Sequence, residues 1–365
     1  MLNAESEPQG LLGFQFGAWR VKRMIQHNSS LITHHSSLAE FIPRFAERKV
    51  VVVGDLLADQ FQYGEISRVS REAPVLILRH ERTETVPGGA ANCAVNLAAL
   101  GAQVELVGVV GADEAGRALR ESLRKAGVEC GEILELAGQP TTTKTRILAG
   151  QLHSTRQQVL RIDYECRAPD DNDLRARLAA RLRKAARDAD ALIISDYGYG
   201  AASETITTEA FAIAREDKIP CLVDSRFALA NFAGATAATP NEDEVEKLLN
   251  RQFANIADLT NAAAGLREKL QLQALLVTRG SHGMLLLEQN KEPLEIPAVG
   301  ALEPVDVTGA GDTVIATYAL ALACGASFAQ AAQLANHAGG LVVMKRGTAS
   351  VSATELLRAT EEMRS

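Results

Sequence analysis

The sequence predicts an α/β protein: a doubly wound, mostly parallel sheet with helices on both faces, accompanied by a small β-sheet that forms a lid. Three observations carry this. Compact apolar runs rich in β-branched residues recur along the chain, segments of helical period lie between them, and two Thr/Val/Arg-rich segments interrupt the alternation. With 365 residues at 47% hydrophobic, the chain can bury one large core with at most a small appendage.

Residues 1–37 stand apart. The stretch "QHNSSLITHHSS" is polar, holds three of the seven histidines and shows no sustained period. It lacks the basic start, long apolar core and small-residue cleavage site of a secretory signal. A disordered N-terminal extension is expected there, and residues 38–365 form the folded domain. The histidines have no spaced carboxylate or cysteine partner, so they are not read as a metal site.

Within the domain, "LAEFIPRFAER" reads as a short helix. "KVVVVGD" follows, a strand buried on both faces that ends in Gly54 and Asp55. Similar runs occur at "VELVGVVG", "ALIISDYG", "IPCLVDS" and "ALLVTRG", separated by helical segments such as "AGRALRESLRKAG" and "DLRARLAARLRKAARD". Ligands gather at the carboxyl ends of such strands, so Asp55, Asp196, Asp224 and Thr278 are expected to face one crevice. "YGEISRVSREAPVLILRHERTETV" and "TTTKTRILAGQLHSTRQQVLRIDYE" read as short strands of the lid, over about 60–86 and 141–165. A lid suits a reaction in which water must be kept from a phosphoryl donor.

Composition excludes several functions. A net charge of −7 without a basic block argues against a nucleic-acid surface. The apolar run from Val314 to Ala326 is too short to span a bilayer, so no membrane partner is expected. The five cysteines, Cys93, Cys130, Cys166, Cys221 and Cys324, never form C-x-x-C, which points to reduced thiols in the cytoplasm.

Directly before that apolar run stands "DVTGAGDT", residues 306–313. A helix start presents unpaired N–H groups and partial positive charge, and glycines let an incoming group approach the backbone, so the stretch is suited to an anion. It is not a dinucleotide fingerprint, because the third glycine position is Val314, nor a P-loop, because the chain has no Gly-Lys pair. An EF-hand would need an oxygen ligand at Ala310. A plain helix cap with turning glycines would not explain Asp312, whose carboxylate falls within the anion site.

A second marker is "GGAANCAVNLAALG", residues 88–101, where glycine backbone and the amide of Asn92 could meet a ligand hydroxyl together. The two markers, in this order, resemble the paired signatures of ribokinase-like (PfkB) carbohydrate kinases over roughly residues 38–360. The resemblance implies ATP and Mg²⁺ as cofactors and a small sugar phosphate as substrate. Asp312 falls on the family's catalytic base, and the amides of Gly309, Ala310, Gly311 and Asp312 on its anion hole. In "TPNEDE", Asn241 and Glu244 are implied to organise Mg²⁺ through its waters. In "VTRGSHGM", Thr278, Gly280 and Gly283 are implied to line the nucleotide. Asp59 in "GDLLAD" is implied to hold sugar hydroxyls with Gly88, Gly89 and Asn92. On the residues alone, Asp59 could be a turn carboxylate, Glu244 a first-turn helix acid and Asn92 a helix cap. A helix N-terminus should also hold Asp312 at or below the ordinary carboxylate pKa, so it would act by placement more than basicity.

"YGEISRVSREAPV", "TKTRIL", "QQVLRIDYE", "DVTGAGDTVIA" and "KRGTASVS" resemble most closely the kinase domain of the heptose 7-phosphate kinases of lipopolysaccharide precursor synthesis. That resemblance implies transfer to the anomeric hydroxyl, with Lys144, Arg146 and Arg161 contacting the substrate phosphate, and a homodimer formed through the lid. There are departures: "SDYGYG" and "VDSR" stand where that branch has Ser-Asp-Tyr-Ala-Lys-Gly and Asp-Pro-Lys, and "AGQLHST" reads as a longer loop. No H-x-G-H signature of a fused nucleotidyltransferase occurs before Ser365, so the kinase alone is expected. The alternatives are a kinase of a hexose phosphate, pentose or nucleoside, or a non-catalytic sugar-binding protein on the same fold.

Overall fold

The structure, a computed structural model, describes residues 38–150, 156–300 and 303–362. The extension expected over 1–37, and most of the loop "AGQLHST", lie outside them.

Strand β1 (Lys49–Gly54) shows why helices must cover both faces of the sheet. Val50 and Val52 pack into one core, Val51 and Val53 into the other, and all four are fully buried. After β1 the chain leaves the main sheet through β2 (Leu56–Val69) and β3 (Leu76–Gly89) and returns by helix α1 (Ala90–Ala99) to β4 (Gln103–Gly111). Helix α2 (Glu114–Lys125) starts on Asp113, whose side chain accepts from the Gly116 N–H, and ends on Arg124 and Lys125, an order of charge that suits the helix dipole. Then come β5 (Ile133–Leu136), β6 (Thr143–Gly150), β7 (Gln157–Tyr164) and α3 (Asn172–Ala185). The central repeat is β8 (Ala191–Asp196), α4 (Glu204–Asp217), β9 (Cys221–Ser225), β10 (Ala237–Ala238), α5 (Glu242–Leu249), α6 (Ile256–Lys269) and β11 (Ala274–Thr278). The chain continues through β12 (Met284–Glu288), β13 (Leu294–Ile296), α7 (Ala310–Ala323), α8 (Phe328–Val342) and α9 (Ala353–Glu362).

The main sheet has the order β13-β12-β11-β10-β9-β8-β1-β4-β5. It is parallel from β11 to β5, and β12 and β13 extend it antiparallel at one edge. The small sheet runs β3-β2-β6-β7, with β2 and β6 parallel and the outer pairs antiparallel. Helices α1, α7 and α8 cover one face of the main sheet, and α3, α4 and α6 the other. This is the doubly wound arrangement with a separate small sheet that the sequence predicts. No described helix is long and apolar enough to cross a membrane.

Two local expectations are corrected. The first helix is a 3₁₀ turn, Ile42–Glu47, with Pro43 at its start; the proline has no N–H for a preceding helical turn. The strands of the first lid segment are not short: β2 and β3 are 14 residues each and begin and end beyond 60–86. Asp59, Gly88 and Gly89 therefore belong to the small sheet. Helix α7 begins at Ala310 with Gly309 as its N-cap, within the Gly-rich stretch as expected, so Asp312 lies in its first turn. From Asp312 to Ala321 every residue of α7 is buried, as a helix without a polar face requires.

Candidate active site

A cleft of about 480 Å³ lies between the small sheet and the start of α7. It brings together Asp59, Gly88 and Gly89 from β2 and β3, Asn92 from α1, Lys144 and Arg146 from β6, and the loop of Gly309, Ala310, Gly311 and Asp312. Asn241, Glu244 and Thr278 line the same cleft.

The glycines are explained by close approach. Gly309 has φ +77°, and a Cβ there would lie 2.6 Å from Asn92 Nδ2. At Gly88 a Cβ would lie 2.7 Å from Asp59 Oδ2. Side chains at either position would push a cleft-lining group away. Of the backbone donors expected in the anion hole, the Ala310 N–H is already bonded to the Val307 carbonyl at 3.2 Å. The N–H groups of Gly309, Gly311 and Asp312 have no such acceptor, as at any helix start, and are left for an anion.

Asp312 is buried, with one hydrogen bond to each carboxylate oxygen. Asn92 Nδ2 donates to Oδ2 at 2.6 Å, and the Tyr197 hydroxyl donates to Oδ1 at 3.2 Å. Burial pushes its pKa up to about 7, against the pull of these two donors, and the nearby Asp59 carboxylate adds to the rise. The expectation of a low pKa from the helix terminus is thus corrected. Loss of solvation outweighs the dipole and the donors together, and the carboxylate is a better base than its place in sequence suggests.

On the opposite wall, Arg146 donates to Asp59 Oδ1 at 2.5 Å, a charged pair away from bulk water. Lys144 donates to Asp163 and to the Tyr199 hydroxyl, both at 3.2 Å. Burial would lower the lysine pKa, but those hydrogen bonds outweigh it and hold the ammonium above its ordinary value. Asn241 and Glu244 form a reciprocal capping box on α5: Asn241 Oδ1 accepts from the Glu244 N–H at 2.8 Å, and Glu244 Oε2 accepts from the Asn241 N–H at 2.9 Å. The capping reading and the ligand reading thus coexist, because both residues also line the cleft. Burial above all raises the Glu244 pKa. Asp224, beside them, is raised well above its ordinary value by burial, then by the charges of Asp312 and Glu244.

A second cavity of about 180 Å³ adjoins the first, sharing Thr278, Val307, Ala310 and Gly311 with it. Gly280 and Gly283 line it together with Met284, Val299 and Val314, so it is the more apolar of the two. An apolar pocket that meets a polar cleft across a helix start has the form a nucleotide needs, with the base in one and the phosphates at the other.

Three expectations fail on placement. Arg161 does not line the cleft: its side chain is 51% exposed and its Nε donates to Asp163 at 2.9 Å. Asp55 accepts from three backbone N–H groups of the loop after β8, and Asp196 from Ser225 and the Gly198 N–H. Both are internal braces, and only Asp224 and Thr278 of the four strand-end residues reach the crevice. Sequence reasoning missed the contact of Tyr197 with Asp312, and "SDYGYG" was its only trace.

Compared with known protein families, residues 47–355 match the pfkB family carbohydrate kinase. The chain belongs to the pfkB family. This pfkB chain is therefore an ATP-dependent carbohydrate kinase. It is 45% identical over 324 residues to the bifunctional protein HldE of Pseudomonas aeruginosa, covering 88% of this chain and 65% of that protein. It is 43% identical over 326 residues to that of Hahella chejuensis, with the same coverage. The chain thus spans about two thirds of the length of these relatives. Among solved structures, the ribokinase of Arabidopsis thaliana in complex with ribose and ATP superposes with a TM-score of 0.66 at 22% identity, covering 86% of this chain and 98% of that one. The phosphofructokinase-2 of Escherichia coli in complex with fructose-6-phosphate gives 0.68 at 19% identity, covering 87% and 99%. At these identities the structural likeness establishes the ribokinase-like fold.

Proposed function

We propose that this kinase phosphorylates a heptose 7-phosphate at its anomeric hydroxyl, forming heptose 1,7-bisphosphate for lipopolysaccharide precursor synthesis in the cytoplasm. The observation that carries the reading is the pair Lys144 and Arg146, two residues apart on β6 and lining the cleft that also holds Asp312. A second phosphate on the substrate calls for cations with directional donors, which an acidic protein has no general reason to concentrate there. The motif resemblance to heptose 7-phosphate kinases and the likeness to HldE support it.

In this reading the sugar hydroxyl meets Asp312, with Asp59 and Asn92 fixing the ring. The N–H groups of Gly311 and Asp312 take the charge of the transferring phosphoryl group, and the small sheet keeps water out. Asp312 accepts the hydroxyl proton as the bond to phosphorus forms. The oxygen donors of Asn241 and Glu244 fit a magnesium ion held through water, which would neutralise phosphate charge. Glu244→Gln retains an oxygen for the capping box but removes the charge. Its half-saturating Mg²⁺ concentration should rise by about tenfold or more in a Mg²⁺ titration of rate, a loss near the weaker end of contacts to charged groups. An unchanged titration would leave Glu244 a helix cap alone.

We also propose a homodimer through the small sheet. Val159, Leu160 and Ile162 on β7, and Val69, Val75 and Leu76 around the β2–β3 turn, are exposed apolar side chains of the kind that marks an interface. Leu160→Glu should convert a dimer to a monomer in light scattering, and a wild-type protein already monomeric at micromolar concentration would refute the dimer.

The function itself is tested by measuring ATP consumption across free and phosphorylated heptoses, hexoses, pentoses and nucleosides. Heptose 7-phosphate should give the highest kcat/KM. Preference for any other sugar would move the enzyme to that branch, and no sugar-dependent ATP use would leave a binding protein.

A further inference from the structure

Residues Tyr197, Gly198, Tyr199, Gly200 and Ala201 form a loop after β8 that the reaction above leaves without a task. Its backbone is held by Asp55, a buried residue at the end of β1. Asp55 Oδ2 accepts from the N–H groups of Tyr197 at 2.8 Å and Tyr199 at 2.9 Å, and Oδ1 from that of Ala201 at 2.9 Å. The Gly198 N–H also donates to Asp196 Oδ1 at 3.0 Å. Gly198 and Gly200 adopt φ of +80° and +97°, which lets the chain curl around the carboxylate. Four N–H groups of one short loop thus converge on two strand-end aspartates. Burying Asp55 at the expense of its own solvation, which raises its pKa, makes sense if the loop must be fixed.

What the clamp fixes is a hydroxyl on the catalytic carboxylate. Tyr197 donates to Asp312 Oδ1 and Asn92 to Oδ2. The donors come from different elements, one to each oxygen, so the carboxylate plane cannot rotate without breaking a bond. A carboxylate oxygen has more than one acceptor site, so each can still receive a substrate proton. We propose that Tyr197 is a positioning residue for phosphoryl transfer: its phenol, held in place by the Asp55 clamp, fixes the Asp312 carboxylate in the orientation and ionised form that accept the substrate proton. The inference rests on Asp312 being the base.

Other titrating groups surround Asp312, so the test must isolate the phenol. Asp59 from β2, Cys93 from α1 and Asp224 from β9 face it directly. Lys144, Arg146, Arg226, Asp243, Glu244 and Lys247 line the rest of the cleft. Tyr197→Phe removes one oxygen and leaves all of these in place. Single-turnover rates would be measured from pH 5.5 to 9.5 with ATP and heptose 7-phosphate, or the panel sugar turned over fastest. Losing a hydrogen bond to a charged group should move the acid limb up by about one pH unit, which near a pKa of about 7 lowers the rate at pH 7 about fivefold. Most of the rate should return by pH 9.5, with both KM values within about twofold of wild type, since the phenol stabilises the ionised base and not the bound ground state. Tyr199→Phe, on the same clamped loop but without contact to Asp312, should leave the limb in place. A Tyr197→Phe limb that coincides with wild type, whether rates are unchanged or lowered equally at every pH, overturns the inference. Asp312→Asn run alongside separates the two claims: if it is inactive while that limb coincides, only the role of Tyr197 falls, and if it is fully active, the base assignment falls and the inference with it.

Discussion

Asp312→Asn should lower turnover by at least about a hundredfold while ATP and sugar still bind within a few fold of wild type, the lower end of what a general base contributes. Asparagine keeps the shape and one acceptor oxygen but cannot take the proton. Turnover near wild type would remove Asp312 from the role of base. The same variant should be more stable than wild type at high pH. The folded-state pKa of Asp312, about 7, lies above the ordinary carboxylate value. Between the two, the folded protein holds a proton that the unfolded chain has released, so stability falls as pH rises through that window. The melting temperature of Asp312→Asn should therefore exceed that of wild type at pH 8, and the gap should shrink towards pH 4. A gap that does not change with pH would contradict the burial argument. Burial of the Asp312 carboxylate thus costs the fold stability at high pH.

Arg146→Ala should raise the KM for the phosphorylated sugar by at least about tenfold and leave the KM for ATP nearly unchanged, as expected for loss of a charge-assisted contact of about 1.5–3 kcal/mol. The geometry gives a second reason for a large effect. Arg146 is the partner of Asp59, so its removal also leaves a buried carboxylate without its counter-charge, on the wall proposed to hold the sugar hydroxyls. Arg146→Lys should recover only part of the affinity, because an ammonium does not reproduce the planar fork. Arg161→Ala should leave both KM values near wild type, since that guanidinium is exposed and paired with Asp163 outside the cleft. Loss of ATP affinity in Arg146→Ala, with sugar affinity kept, would point to a nucleotide contact and against a sugar-phosphate pocket.

The strands of the main sheet were legible because burial on both faces leaves an unbroken apolar run, as at Val50–Val53, and few other structures tolerate one. The small sheet was legible as β but not in length: β3 is exposed without a break from Arg79 to Glu84, so "RHERTET" carries no alternation to mark it. β10 has two residues, too short for any periodicity. The residues around the cleft were named largely through two glycine-rich signatures, and the structure gives both a steric reason. What the chain could not disclose is which charges meet. Arg161 and Asp163 lie two apart on one strand, hence on one face, so their pairing was readable in principle. The contacts of Arg146 with Asp59 and of Tyr197 with Asp312 join residues 87 and 115 positions apart and depend on the tertiary fold. The pKa of Asp312 was misjudged for the same reason: the helix start is visible in sequence, and the burial that overrides it is not.

The most direct measurement is phosphorus NMR of the product formed from ATP, Mg²⁺ and heptose 7-phosphate. ADP is expected together with a new phosphate resonance coupled to the anomeric proton, with the 7-phosphate signal retained, and both at least about a hundredfold slower in Asp312→Asn. A new phosphate on any other carbon, or ATP turned over to ADP and free phosphate with the sugar unchanged, would contradict it.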